Sequence, residues 1–430
     1  MTTIKLAVVT TAEKAWNKLV TKPGEGAADL TVGAAQQPWW GFGGCFNELG
    51  WIALQKLAPP ERDAVFKDLF DPKGPLRLTW GRIPIGANDY AAEWYSHDEH
   101  AGDTELKKFS VARDEAILLP YIRAALKLKP DLKTLASPWS PPTWMKSPRA
   151  YNNGRLIDDA GIHRAYALYL ARFIEEYRRH GVAIHQLHPQ NEPVAEQKFP
   201  SCVWTGPQLR DFIRDHLAPT LSRRKLNTEV WLGTLNTDDY AGFTGTVLAD
   251  AGARAVVKGV GYQWAGKHAV ARTHAAFPDL PLMQTENECG DGNNTWDYAL
   301  YVADLIRLYL HGGTNAYVYW NMVLLPKGES TWGWKQNAMF TVDPVGKKAV
   351  RNPEFHVMRH ASQAGAAGGN VLAVSGEWSA YATAFANPDG TTGVFMANPL
   401  TVAKELTIAT PAGALTCSLA PRSVATLVVA

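Results

Sequence analysis

A chain of 430 residues exceeds one typical domain but suits a large α/β barrel carrying a smaller accessory module. With 46% hydrophobic residues, 20% charged residues and a formal net charge of +2, it has no basic tract for nucleic acid and no acidic tail. Four cysteines, Cys45, Cys202, Cys289 and Cys417, stand far apart with no C-x-x-C or Cys/His spacing, so they read as free thiols and no metal or cofactor is expected.

Taken in chain order, residues 1–35 open with the apolar run "LAVV" behind Lys5, shorter than the ~7 residues of a signal-peptide core. No later segment approaches the ~18 apolar residues of a membrane span. The expectation is a cytoplasmic protein, or a secreted one if a leader has been removed.

From residue 36 to 354, short β-rich segments alternate with helical ones. The strands are expected at 39–46, 76–85, 132–139, 183–190, 229–236, 256–264, 280–286 and 315–321. Helices are expected between them, such as 110–128 with Ser110 as N-cap and 159–181 ending at Gly181. Eight βα units predict a (β/α)8 TIM barrel.

Residues 355–430 differ. Short alternating strands are punctuated by turn signals such as Pro388-Asp389-Gly390. Neither β-rich end can cover its own apolar face, so residues 1–35 and 355–430 are expected to join in one β-sandwich attached to the barrel.

Catalytic groups of such a barrel come from the C-terminal ends of its strands, where loops form the mouth. Glu192 follows the fourth strand and Glu286 closes the seventh. Two carboxylates over one axis are what glycoside hydrolysis needs, one as proton donor and one as nucleophile or base. Asn191, beside the acid, is placed to donate to a sugar 2-hydroxyl. Glu288 competes with Glu286, lying two residues on and on the same face if the strand continues. Sixteen tryptophans crowd the polar loops, which suits flat, hydroxyl-rich ligands. His185 and His188 have an odd spacing that points them to opposite faces of a strand, against a shared metal. The run Gly41-Phe42-Gly43-Gly44 lacks the spacing of a dinucleotide loop.

The stretches "GFGGCFNELG", "RIPIGANDY", "SPWSPPTWMK", "QNEP", "QTENECG" and "YVYWN" together resemble glycoside hydrolase family 30, the group that includes lysosomal glucosylceramidase, xylanases and β-1,6-glucanases. The resemblance spans about residues 38–345. It implies retaining chemistry without a metal and a carbohydrate substrate, with Glu192 as acid/base and Glu286 as nucleophile. It also implies sugar-binding roles for Arg82, Asp89, Trp139, Asn191 and Trp320. After the sixth strand, where glucosylceramidase has His-Trp-Tyr, this chain has Gln263, Trp264 and Ala265, so substrate choice departs there. Gln263 and Trp264 are counted with the substrate-binding set. Exo action on β-linked glucosides is preferred, because the loops 91–108 and 324–339 are long enough to wall the mouth into a pocket. The alternatives are an endo-acting xylanase or β-1,6-glucanase, and a carbohydrate-binding barrel without turnover. Glu48 is a third mouth carboxylate without an assigned role. Nothing in the sequence marks an oligomeric state.

Overall fold

The computed structural model describes residues 2–430. Its centre is a closed barrel of eight parallel strands: Gly41–Cys45, Trp80–Ile85, Lys133–Pro138, Gln186–Leu187, Glu229–Leu235, Val257–Gln263, Leu282–Glu286 and Thr314–Asn321. Each pairs with its sequence neighbour, and the eighth closes on the first. The seventh and eighth strands are buried at every residue, as expected of parallel strands covered on both faces. Close approach explains part of the glycine-rich first strand: a Cβ on Gly43 would stand 2.7 Å from the backbone oxygen of Trp80.

Two expected elements depart most from their sequence patterns. The fourth strand is regular only at Gln186–Leu187, because Pro189 has no N–H to continue the ladder. The chain stays in place through irregular bonds to both neighbours: Asn191 N–H to the Pro138 carbonyl at 2.7 Å, and Glu192 N–H to the Thr234 carbonyl at 3.1 Å. The expected helix 110–128 is two, Ala112–Ala116 and Leu118–Leu128, separated at the non-helical Ile117. Pro120 cannot donate to the Ala116 carbonyl and its ring crowds that turn, and Val111, not Ser110, occupies the N-cap position. The helix Ala160–Arg179 matches its pattern. Asp159 caps it by accepting from the N–H groups of Gly161 and Ile162 at 2.7 and 2.9 Å.

Both chain ends build the side domain. Ile4–Thr10 pairs antiparallel with the last strand, Ser423–Val429. Leu30–Pro38 pairs antiparallel with Asn370–Ser375 and parallel with Lys404–Thr410 at Leu30 and Thr31. The resulting ten-stranded sheet folds over an apolar core of its own that includes Leu30, Val32, Met396, Ile408 and Leu427. The helix Pro353–Ala364 lies between this sheet and the barrel helix Trp296–His311. Its His360 ring bridges Thr10 and Thr426, with ring-to-hydroxyl distances of 2.7 and 2.9 Å.

Candidate active site

Closing the barrel brings the ends of strands two, four, six and seven onto one buried cation. Arg82, in the second strand, is fully buried with 0% exposure. Its Nη1 donates to Glu286 Oε2 at 2.7 Å, to Gln263 Oε1 at 3.1 Å and to the Thr285 carbonyl at 3.1 Å. Nη2 donates to Asn191 Oδ1 at 2.6 Å and to the Ser137 hydroxyl at 3.0 Å. The guanidinium also lies 4.7 Å from the ring centre of Trp139 and 5.5 Å from that of Trp320. A buried charge held this way fixes its partners; stripping one partner from such a pair typically costs about 3–5 kcal/mol.

Gln263 ends the sixth strand directly opposite Glu286 in the ladder. Its Nε2 donates to Glu192 Oε1 and to Glu286 Oε2, each at 3.1 Å. These two carboxylate oxygens can therefore be no farther apart than twice 3.1 Å. The second oxygen of Glu286 accepts the Trp264 indole N–H at 3.0 Å. Glu192 and Trp264 both sit in left-handed backbone, with φ of 49° and 50°, a conformation uncommon for residues with a Cβ. Here it turns both side chains over the barrel mouth.

The two carboxyls differ in surroundings. Glu286 is raised from its ordinary value by burial, while Arg82, Trp264 and Gln263 pull it back toward the ionised form. Glu192 has one such hydrogen bond and no direct cation. Burial, then the Glu286 charge, pushes it up to about 8. Asp89 is raised by burial and then by the charges of Glu286 and Glu192, and its Oδ1 has no partner. Asn191 Oδ1 is occupied by Arg82, by Gln263 and by the Thr234 hydroxyl, the last two at 3.1 Å, which leaves its amide nitrogen for the cavity.

Asp89, Trp139, Asn191, Glu192, Trp264 and Glu286 line one cavity of about 310 Å³. Arg82, Gln263 and Trp320, expected to touch substrate, stand behind its wall; they hold the residues that line it. Gln197, Phe199, Asn236 and Gln336 also line the cavity and were not in the expected set; Trp334, from the tryptophan-rich loop 324–339, lines it too. Asn236 directly follows the fifth strand, where the strand-end rule points, but the others come from loops whose sequence gives no direction. A larger hollow of about 660 Å³ opens at the opposite end, where Trp80, Lys133, Gln186 and Glu229 lie at or near the start of their strands. None of the converging carboxylates reaches it. His185 lines that hollow, while His188 is buried in the barrel against Trp231.

The competing carboxylates are committed elsewhere. Glu288 takes Lys267 at 2.5 Å and the Tyr301 hydroxyl at 2.8 Å. Glu48 accepts Arg113 Nε and Nη2 at 3.0 Å each, and the Ala92 N–H at 2.7 Å, pinning the loop after the second strand.

That loop meets the hairpin after the eighth strand. The Tyr90 hydroxyl donates to the carbonyls of Gly328 and Trp334 at 2.7 and 3.2 Å, and the Thr331 hydroxyl donates to the Ala91 carbonyl at 2.8 Å. Trp94 stacks on Trp332 with ring centres 6.0 Å apart, and Phe199 from the fourth loop meets Trp334 edge-on at 6.0 Å. Three loops thus touch one another around the cavity.

Residues 39–364 match the family described as the glycosyl hydrolase family 30 TIM-barrel domain. Lysosomal acid glucosylceramidase of Mus musculus is 25% identical over 400 residues, covering 86% of this chain and 77% of that protein. Two solved structures share the fold over 98% of this chain. SrfJ from Salmonella typhimurium has a TM-score of 0.88 at 22% identity, with 99% of that chain covered. An endo-beta1,6-glucanase has 0.85 at 21% identity, with 98% of that chain covered.

Proposed function

The chain belongs to glycosyl hydrolase family 30, and from that premise we propose that it cleaves β-linked glucosides or related sugars with retention of configuration, one terminal sugar at a time. The observation that carries this reading is the pair of carboxyls sharing the Gln263 amide in unlike environments. The two oxygens that share this amide lie within twice 3.1 Å of each other, which supports the closer pairing of a retaining centre over the ~6.5–9.5 Å separation of an inverting one. Glu286, beside Arg82, attacks the anomeric carbon as the ionised nucleophile. Glu192, protonated at neutral pH, gives its proton to the departing oxygen, and the bond from C1 to the leaving group breaks as the bond to Glu286 forms. Glu192 then takes a proton from water, which displaces Glu286 and regenerates the free acid. Asn191 donates to the 2-hydroxyl, a bond that strengthens as positive charge grows at C1.

Exo action is supported by the clasp between the second and eighth loops. It leaves a cavity of about 310 Å³, at the small end of the ~300–1,000 Å³ usual for small-molecule pockets. A β-glucoside with a compact or flexible aglycone, as in a glucosylceramide, suits a pocket better than a polymer threading through a cleft. Nitrophenyl β-glycosides and a reducing-end-labelled β-1,6-gluco-oligosaccharide series test this together. Exo action releases single sugars from the unlabelled end. A spread of intermediate products would overturn it in favour of endo action. Trp332→Ala should unstack Trp94 and raise activity on the longer oligosaccharides at least threefold relative to the nitrophenyl substrate.

A further inference from the structure

We propose that Gln263 is a positioning residue that sets both the separation and the division of charge between the two carboxyls, without touching the sugar. The inference rests on the retaining reading above. Gln263 is 0% exposed and lies behind the cavity wall, so substrate does not reach it. Its side chain is nonetheless the one group hydrogen-bonded to both carboxyls. Nε2 reaches Glu192, Glu286 and Asn191, each at 3.1 Å, and Oε1 accepts from Arg82 and from the Thr285 hydroxyl, again at 3.1 Å each.

The amide's orientation follows from these partners. Arg82 and the Thr285 hydroxyl supply hydrogens to Oε1, so the nitrogen must face the three oxygens. A nitrogen with two hydrogens against three acceptors divides its donation, and the share each carboxylate receives depends on its charge. When Glu192 is protonated, Glu286 is the stronger acceptor and draws the N–H; when Glu192 ionises to activate water, the N–H is drawn toward it. The amide itself never titrates. Its donation therefore carries no ionisation of its own into the pH profile, as a histidine at this position would.

The groups facing Gln263 are Arg82 from the second strand, Glu192 after the fourth and Glu286 of the seventh. Asp89 acts on both carboxyls from the second loop, and His188 and Cys45 flank Arg82. Among these, Gln263 and Arg82 hydrogen-bond Glu286 directly from below, and Gln263 alone connects it to Glu192. Without the amide, Glu286 keeps Arg82 and Trp264 but Glu192 loses its one side-chain hydrogen bond, and with it the fixed separation of the pair; a misplacement of about 1 Å at such a centre costs on the order of 100-fold.

The test uses the full chain and two variants. Gln263→Met keeps length and volume but removes every hydrogen bond. Gln263→Glu keeps the shape and puts a third acid where the donor stood. The readouts are kcat and KM on a dinitrophenyl β-glycoside, the pH profile of kcat/KM, the melting temperature, and the rate at which a 2-deoxy-2-fluoro glycoside labels Glu286, followed by intact mass. For Gln263→Met we expect kcat and labelling at least tenfold slower, KM within threefold, melting within a few degrees of wild type, and an acid limb moved to higher pH. Gln263→Glu should be slower still, with its acid limb displaced further. A tenfold rise in KM at unchanged kcat would make Gln263 a substrate contact and overturn the inference. So would unchanged labelling and pH profile in both variants. Failure of the wild type to be labelled, with turnover intact, would instead remove the retaining reading on which the inference stands.

Discussion

Alanine at Glu192 and alanine at Glu286 should fail in different ways. Glu286→Ala removes the attacking oxygen and leaves Arg82 and Trp264 aimed at an empty volume beside the anomeric carbon. No substrate then reacts until a small anion enters, and azide, drawn by Arg82, attacks from the nucleophile's side and gives the inverted glycosyl azide. Glu192→Ala leaves the nucleophile and its three side-chain donors untouched. What it loses is proton donation, worth about 10²–10⁴-fold for a poor leaving group, or about 2.7–5.4 kcal/mol at 1.36 kcal/mol per decade. The loss shrinks toward nothing for dinitrophenolate, which needs no proton. The glycosylated Glu286 then waits for water without a base, so a burst should precede slow turnover, and azide should restore turnover with retained configuration. The assay is stopped-flow release of dinitrophenol, with NMR of the azide product. If the two rescued products carry the opposite stereochemistry to these, the roles are reversed and the argument from Arg82 and burial is wrong.

The wild-type pH profile of kcat/KM should be bell-shaped. It falls as pH drops through the pKa of Glu286, raised above the ordinary carboxylate range by burial, and falls again as pH rises through that of Glu192, near 8. On a glycoside whose leaving group needs a proton, wild type should show both limbs and the residual activity of Glu192→Gln only the acid one; an alkaline limb that persists in the variant would assign it to another group. Glu288→Ala should lower stability by about 1–3 kcal/mol, since Lys267 and Tyr301 lose their shared acceptor, while kcat drops less than tenfold. A dead Glu288 variant beside an active Glu286→Ala would exchange their assignments.

How much of this protein its sequence determines by itself follows from the range of the forces involved. Strand alternation and turn residues act over a few positions, so eight barrel strands, the helix that ends before Gly181 and the β-rich ends were legible along the chain. The breaks at Pro189 and Pro120 are equally local and were readable from the missing N–H, although the surrounding apolar patterns concealed them. Glu192 and Glu286 could be singled out because a strand end in a barrel is also a direction. Closure alone decided the rest. That Glu288 is tied off by Lys267 and Tyr301 depended on where those two side chains arrived from other elements. Glu48 became a loop anchor because Arg113, 65 positions away, folded onto it. Gln263, 181 positions from Arg82, has no periodicity or motif that marks it as the joint between two carboxyls. Burial, the main cause of the Glu192 shift, is a property of the assembled surroundings and of no residue in the list. Such contacts span the whole chain, and only the tertiary fold sets their distances.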